Sequence, residues 1–182
     1  MTWTKTAIAL LSALSIAVGS AVAQPARIIV IRHAEKPGDP EDPHLSPAGV
    51  QRAQRLVTFI TKDPAMVALG SPAAVFASQP TKHGNGQRTR ETVGPLATAL
   101  KVPVQTPYRN KDYAELAKML LTSPAYRGKT VLVSWTHDEI PKLAASLGVT
   151  PKPKKWKASD YDQVYVISFQ EGKPTLTTTR YE

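Results

Sequence analysis

The sequence predicts an α/β domain of three layers, an α/β/α sandwich with helices on both faces of a mainly parallel central sheet, and three observations carry that class. Short runs of β-branched residues recur, each followed by a polar or Gly/Pro-rich stretch and then by apolar residues at helical spacing. The first run, Arg27-Ile28-Ile29-Val30-Ile31-Arg32, is continuously apolar between its arginines rather than alternating, the pattern of a strand buried on both faces. The grammar changes only at the end, where Gln163 to Phe169 and Thr175 to Arg180 flank Glu171-Gly172-Lys173 and predict an antiparallel hairpin closing the sheet edge.

Taken in order, the elements begin after a leader. Lys5 precedes an apolar stretch from Ala7 to Val18 and a small-residue cleavage pattern, Ala21-Val22-Ala23, so residues 1–23 read as a secretory signal peptide cut after Ala23. The stretch is too short and too rich in Ala and Ser for a stable membrane span. Residues 24–182 are then one domain, exported, with the periplasm as the expected compartment.

The Arg27–Arg32 strand ends at His33. Three prolines and a glycine in Pro37-Gly38-Asp39-Pro40-Glu41-Asp42-Pro43 forbid regular structure there. Ser46-Pro47 is a helix start, with Ser46 as N-cap and Pro47 at the first helical position, and Val50, Ala53, Val57 and Ile60 follow on one face. Ala74 to Ser78 is the next strand, Gln79 to Gly86 a polar loop, and a helix runs from near Gln87 to Leu100. Val102 to Thr106 is a further short strand, Tyr113 to Leu121 a helix, and Lys129 to Trp135 the clearest strand in the chain. Ile140, Leu143, Ala144 and Leu147 mark a helix ending before Gly148.

Composition agrees with a single domain: 182 residues, 42% hydrophobic and 20% charged, give enough apolar surface for one core and too little chain for two. The formal charge is +9, and loss of Lys5 with the leader lowers it by one. A basic chain attracts anions, whether phosphate esters, nucleic acid or acidic surfaces, and only a site can choose among them. The absence of cysteine excludes structural disulfides, thiolate catalysis and Cys-ligated metal. The one dense charge run, Lys152-Pro153-Lys154-Lys155-Trp156-Lys157, reads first as a solvated, proline-punctuated loop and second as a steering patch for an anion; it lacks the interleaved aromatics of a single-strand nucleic-acid face.

In open parallel sheets ligands sit outside the carboxyl ends of the strands. His33 and His137 both fall at such ends, whereas His44 and His83 lie in loops. If the two strands are neighbours, the imidazoles face one crevice, with Arg32 beside His33 and Arg88 early in the helix after the Ala74–Ser78 strand. Guanidinium forks suit the tetrahedral oxygens of a phosphoryl group, and fixed cations stabilise the charge that phosphoryl transfer spreads over its equatorial oxygens. The same crowding lowers the proton affinity of His33 and keeps it neutral near pH 7.

These residues carry a resemblance. Arg32-His33-Ala34-Glu35 resembles the Arg-His-Gly/Ala-Glu opening motif of the histidine phosphatase superfamily, also called the phosphoglycerate mutase-like family. Leu45-Ser46-Pro47-Ala48-Gly49-Val50-Gln51-Arg52-Ala53 is similar to the family's first helix start, Ser78 with Arg88-Thr89-Arg90-Glu91-Thr92 to its second segment, and Val131 to His137 to the strand leading to the second histidine. The resemblance implies that His33 is the nucleophile of a phosphohistidine intermediate and that Arg32, Arg88 and His137 bind the phosphoryl group. It implies no metal and no cofactor, and a lone pair of strand-end histidines is in any case a poor zinc site.

Three departures from the pattern stand out. Ala34 replaces the family's glycine, the Gln79–Gln87 segment is longer than the family spacing, and the proton donor is ambiguous. Arg88 is preferred to Arg90 for its four-residue offset from Thr92. A leaving alkoxide needs a proton. Asp138, directly after His137, resembles the donor of the acid phosphatase and phytase branch, and Glu115 resembles that of the mutase branch. Either carboxylate also has an ordinary reading, Asp138 as a helix cap and Glu115 as a solvated helix residue. Lys36 can meet a distal phosphate or carboxylate of the substrate, and His83 lies on the long loop over the expected mouth of the site.

The expectation is therefore an exported phosphomonoesterase acting on a small anionic phosphoester, with a phosphoglycerate mutase-type phosphotransferase, a phosphohistidine protein phosphatase and a non-catalytic anion-binding protein as the rival readings.

Overall fold

The computed structural model describes residues 24–81, 84 and 86–181. The expected signal peptide, 1–23, and His83 lie outside the described residues.

Continuous β-branched character puts β1 (Arg27–Arg32) at the centre of a six-stranded sheet, with Ile28 to Arg32 all buried. It pairs in parallel with β4 (Thr130–Trp135) and antiparallel with β5 (Gln163–Gln170). Outward from β4 lie β2 (Pro72–Ala77) and then the two-residue β3 (Val104–Gln105), both parallel. On the other side β6 (Lys173–Arg180) closes the edge as the antiparallel partner of β5. The sheet is mixed and mostly parallel, with a C-terminal hairpin. Its turn is tighter than the sequence suggested: Glu171 and Gly172 both take positive φ, and Lys173 already belongs to β6.

Side chains of successive strand residues leave on opposite faces. Ile29, Ile31, Val75 and Leu132 meet Leu56, Ile60, Val93 and Leu96 from α1 (Pro47–Lys62) and α3 (Gln87–Leu100). Ile28, Val30, Val131 and Val133 meet Leu116, Leu120, Leu143 and Ala144 from α4 (Tyr113–Thr122) and α5 (Ile140–Ser146) on the other face. Each such side chain contributes about 1.5–3 kcal/mol on full burial, and the two clusters together make the three-layer sandwich.

One short helix went unread in the sequence, α2 (Pro64–Val67), numbered between α1 and α3. Asp63 Oδ1 caps it, accepting from the Ala65 and Met66 amides at 2.9 and 3.2 Å, and Met66 plugs the α1/α3 core. Its Asp-Pro start has the same logic as Ser46-Pro47 at α1, where Ser46 Oγ accepts from the Gly49 amide at 3.1 Å. Among the described residues no helix is long and apolar enough to cross a membrane.

Two features of this frame place the site. Arg32 is in register with Trp135, so the chain leaves β1 and β4 side by side, and the His33 amide still donates to the Trp135 carbonyl at 3.1 Å. The start of α1 is pressed on the backbone just after His33. The Ser46 amide donates to the Glu35 carbonyl at 2.9 Å, and a Cβ on Gly49 would fall 2.4 Å from that same oxygen.

Candidate active site

His33 sits on the floor of a cleft of about 510 Å³ at the carboxyl ends of the parallel strands, within the range of small-molecule sites. The residue is 6% exposed. Nδ1 lies 2.7 Å from the Ala34 carbonyl oxygen, which can only accept, so Nδ1 carries the proton and Nε2 keeps its lone pair. Burial lowers the His33 pKa to about 4; the Ala34 carbonyl opposes the shift, and Arg32, Arg88 and His137 add to it. The imidazole is therefore neutral, with its tautomer fixed, at any pH well above that value.

The backbone around His33 is tied to α3 by buried hydroxyls. Thr92 Oγ1 accepts from the Ala34 amide at 2.8 Å and donates to the Arg88 carbonyl at 2.7 Å. One turn earlier Thr89 Oγ1 donates to the Gly86 carbonyl at 2.7 Å and stands 2.8 Å from Ser78 Oγ. Gly86 has φ of 87°, and a Cβ there would lie 2.4 Å from the Gln79 carbonyl oxygen, so the turn into α3 needs glycine. Arg88 lines the cleft with His33, and its Nη1 donates to the Asp42 carbonyl at 2.8 Å. Arg90 lines a separate groove along the outer side of α3. Glu91 ties the Pro37–His44 loop to the same helix, through His44 Nδ1 at 2.5 Å and the Leu45 amide at 2.9 Å.

Arg32 is held differently. It is 2% exposed, and its Nη1 donates to the carbonyls of Ala158 and Asp160 at 2.7 and 3.2 Å, with the Lys157 carbonyl at 3.5 Å. Its guanidinium carbon stacks 4.0 Å from the Tyr161 ring centroid, and Tyr161 also meets the His33 ring edge-on at 6.1 Å. Arg32 Nε is buried without a hydrogen-bond partner. The Lys152–Lys157 run is thus more than a solvated loop: its lysines are exposed, while Trp156 enters the core and the backbone beyond it grips Arg32.

His137 is half-buried, and its Nδ1 has no hydrogen-bond partner. Burial lowers its pKa, joined by Arg32, Lys155 and Lys36, against the pull of Asp138. Lys36 itself is exposed. Asp138 lines the cleft. Burial pushes its carboxyl up, but the Thr136 hydroxyl, its own amide, His137 and Lys111 outweigh that and hold it below the ordinary carboxylate range. Glu115 is exposed in the first turn of α4 and is not among the residues lining the cleft. The structure thus brings His33, Arg88 and Asp138 to one cleft, sets Arg32 and His137 close enough to act on the His33 charge, and leaves Glu115 apart.

The sequence reading missed the far wall, Arg109-Asn110-Lys111, which also lines the cleft. The signal was present, since this segment follows the carboxyl end of β3 just as His33 follows β1. It also missed Tyr161, which no local motif marks. Glu139 is fully buried and forms ion pairs with Lys111 and with Lys142, the latter at 2.9 Å. Among the described residues no three His, Asp or Glu side chains are grouped to hold a metal ion.

No family model and no curated protein matches the chain. Solved structures do. A candidate alpha-ribazole-5'-P phosphatase of Escherichia coli superposes with a TM-score of 0.62 at 16% identity, covering 86% of this chain and 97% of that one. The protein histidine phosphatase SixA, complexed with tungstate, gives 0.59 at 16% identity, covering 85% and 97%. Phosphoserine phosphatase from Entamoeba histolytica, in complex with 3-phosphoglyceric acid, gives 0.57 at 16% identity, covering 85% and 96%. Central β1 between β4 and β5, the two strand-end histidines and these superpositions agree: the chain has the fold of the histidine phosphatase superfamily.

Proposed function

We propose that this protein is an exported phosphomonoesterase that hydrolyses its substrate through a phosphohistidine at His33. The observation that carries the reading is the state of that imidazole: buried, neutral, with Nδ1 held by the Ala34 carbonyl and Nε2 left nucleophilic in a cleft lined by Arg88. Nε2 attacks phosphorus in line, the P–O ester bond breaks, and its electron pair leaves on the alkoxide. Arg88, Arg32 Nε and His137 supply donors and positive charge to the three equatorial oxygens. Water then attacks the phosphohistidine, and His33 departs neutral as orthophosphate forms.

Asp138 is the proposed donor to the leaving oxygen. Its lowered pKa leaves it ionised at neutral pH in the unliganded protein, but a dianionic ester bound beside it raises that pKa, because a second negative charge favours the protonated form. Poor leaving groups should therefore react best on the acid side of neutrality. The neighbours in fold that act on phosphohistidine, phosphoserine and alpha-ribazole phosphate support phosphoryl chemistry as a class.

The test is orthophosphate release from a panel of phosphomonoesters between pH 4 and 8, with the phosphoenzyme trapped by rapid quench under alkaline conditions, where phosphohistidine survives. Release with phosphate mapped to His33, and loss of both in His33→Ala, supports the reading. Tight orthophosphate binding with no release from any ester overturns it in favour of an anion-binding protein. Export is tested by the mass of the protein recovered from the producing cells, expected to begin at Gln24.

A further inference from the structure

The cleft is larger than a phosphoryl group needs, and its far wall is cationic and rigid. Asn110 fixes the segment to the end of β4: its carbonyl accepts from Trp135 Nε1 at 2.9 Å, and its side-chain oxygen accepts from Thr136 Oγ1 at 2.7 Å. Lys111 is anchored on buried Glu139. Asp112 Oδ2 accepts from the Arg109 amide at 3.0 Å and closes the turn. Of the two carboxylates lining the cleft, Asp112 is thus engaged by this turn, and neither forms an ion pair with Arg109 among the described residues. The Arg109 guanidinium has no hydrogen-bond or ion-pair partner among the described residues, although Asn110 and Lys111 after it do.

We infer that Arg109, with Lys111 beside it, is a second anion subsite, and that the substrate carries a further anionic group, a carboxylate or a second phosphate, on its leaving-group side. This rests on the phosphomonoesterase reading of the same cleft. Side-chain bonds hold the backbone on which Arg109 stands, so only the rotamers of its own side chain remain to be ordered when an anion docks. Its planar fork fits either anion in bidentate fashion, whereas the Lys111 ammonium, already shared with Glu139, adds charge rather than shape. Subsite and nucleophile face the same space, so binding energy gained at Arg109 positions the ester for His33.

Three alkyl phosphates of matched chain length and leaving-group basicity test it: a simple monoalkyl phosphate, a phosphorylated hydroxy acid, and an alkanediol bisphosphate. The protein should favour one or both doubly anionic esters over the simple one by at least about tenfold in kcat/KM, expressed mainly in KM. Arg109→Ala should bring that ratio down by roughly ten- to a hundredfold, and Arg109→Lys should restore part of it. Which ester is favoured distinguishes carboxylate from phosphate. A ratio near one in the unaltered protein, or one unmoved in Arg109→Ala, overturns the subsite. In that event, release from the simple ester that His33→Ala abolishes leaves the phosphomonoesterase reading standing. Release from none of the three brings down both.

Discussion

The carboxyl ends of β1 and β4 lie side by side and each delivers a histidine, yet the two rings sit in opposite surroundings. At the end of β1 everything is fixed: His33 is almost fully buried, its Nδ1 is bonded to Ala34, and the following backbone is clamped by Thr92 from one side and by the start of α1 from the other. At the end of β4 the ring of His137 is half-buried, its Nδ1 has no partner, and Asp138 beside it draws a proton toward it while Lys36 and Lys155 push the proton away. A nucleophile needs one tautomer held in place, whereas a group that grips an anion gains from being able to protonate as that anion arrives. On the proposed mechanism the same residue type after two parallel strands would take two roles because burial and hydrogen bonding differ, not because the sequence pattern does.

Removing each ring should break this comparison most sharply. His33→Ala eliminates the attacking atom, and kcat should fall on the order of 10⁴-fold or more with no phosphoenzyme trapped. His137→Ala removes one donor to the transferring group, with an expected loss of about 10²–10³-fold while the phosphoenzyme still forms. Quenched-flow measurement of phosphoenzyme in both variants checks the distinction. Equal losses with no adduct in either would mean that the two rings act as a unit.

The next largest effect concerns what holds the β1 end. In Gly49→Ala the new methyl would meet the Glu35 carbonyl, so either α1 or the backbone after His33 must shift. Overpacking of this kind costs about 1–3 kcal/mol, and kcat should drop beyond what the lowered Tm explains. Thr92→Val leaves the buried Ala34 amide without its acceptor, at a cost of about 1–3 kcal/mol. Denaturant unfolding beside steady-state kinetics separates stability from positioning.

This clamp also marks how far the sequence could be read. Strand order along the chain, the hairpin, and the positions of both histidines at strand ends and of Arg88 in the first turn of α3 were legible because strand and helix periods and the strand-end rule are local signals. That β1 and β4 are neighbours was left conditional, because pairing between Arg32 and Trp135 spans the chain and no short pattern encodes it. Tyr161 was invisible for the same reason: its partner Arg32 lies more than a hundred residues away, and a lone tyrosine before β5 looks like any loop aromatic. Gly49 appeared only as a motif position until its Cβ space was seen to be filled by Glu35. Arg109-Asn110-Lys111 was missed for another reason, the shortness of β3, whose two residues hardly announce a strand end.

The titration of His33 sharpens the comparison at the level of stability. Its folded pKa, about 4, lies below the ordinary 6.5, so the unfolded chain binds the extra proton first as pH falls. The His33 contribution is constant above about pH 6.5, erodes between there and about 4, and below that leaves the fold roughly 3 kcal/mol less stable. His33→Asn, which cannot titrate, should flatten the acid limb of a stability–pH curve measured by denaturant unfolding. An unchanged acid limb would place the proton uptake elsewhere.

The smallest expected effect tests the loop that reaches Arg32 from the far end of the chain. Tyr161 lies over the guanidinium at 4.0 Å and against the His33 edge, so it steadies the cation shared by both strand ends without needing to touch substrate. Cation–π contacts contribute about 0.5–2 kcal/mol, depending on desolvation. Tyr161→Leu should therefore raise KM for a simple phosphomonoester several-fold, through loosened Arg32, and shift kcat less. Tyr161→Phe keeps the ring face and should recover most of the loss. If Phe proves as poor as Leu, the phenol and not the ring face is what holds Arg32. If neither variant moves KM, the three carbonyls of Lys157, Ala158 and Asp160 suffice on their own to aim this side chain.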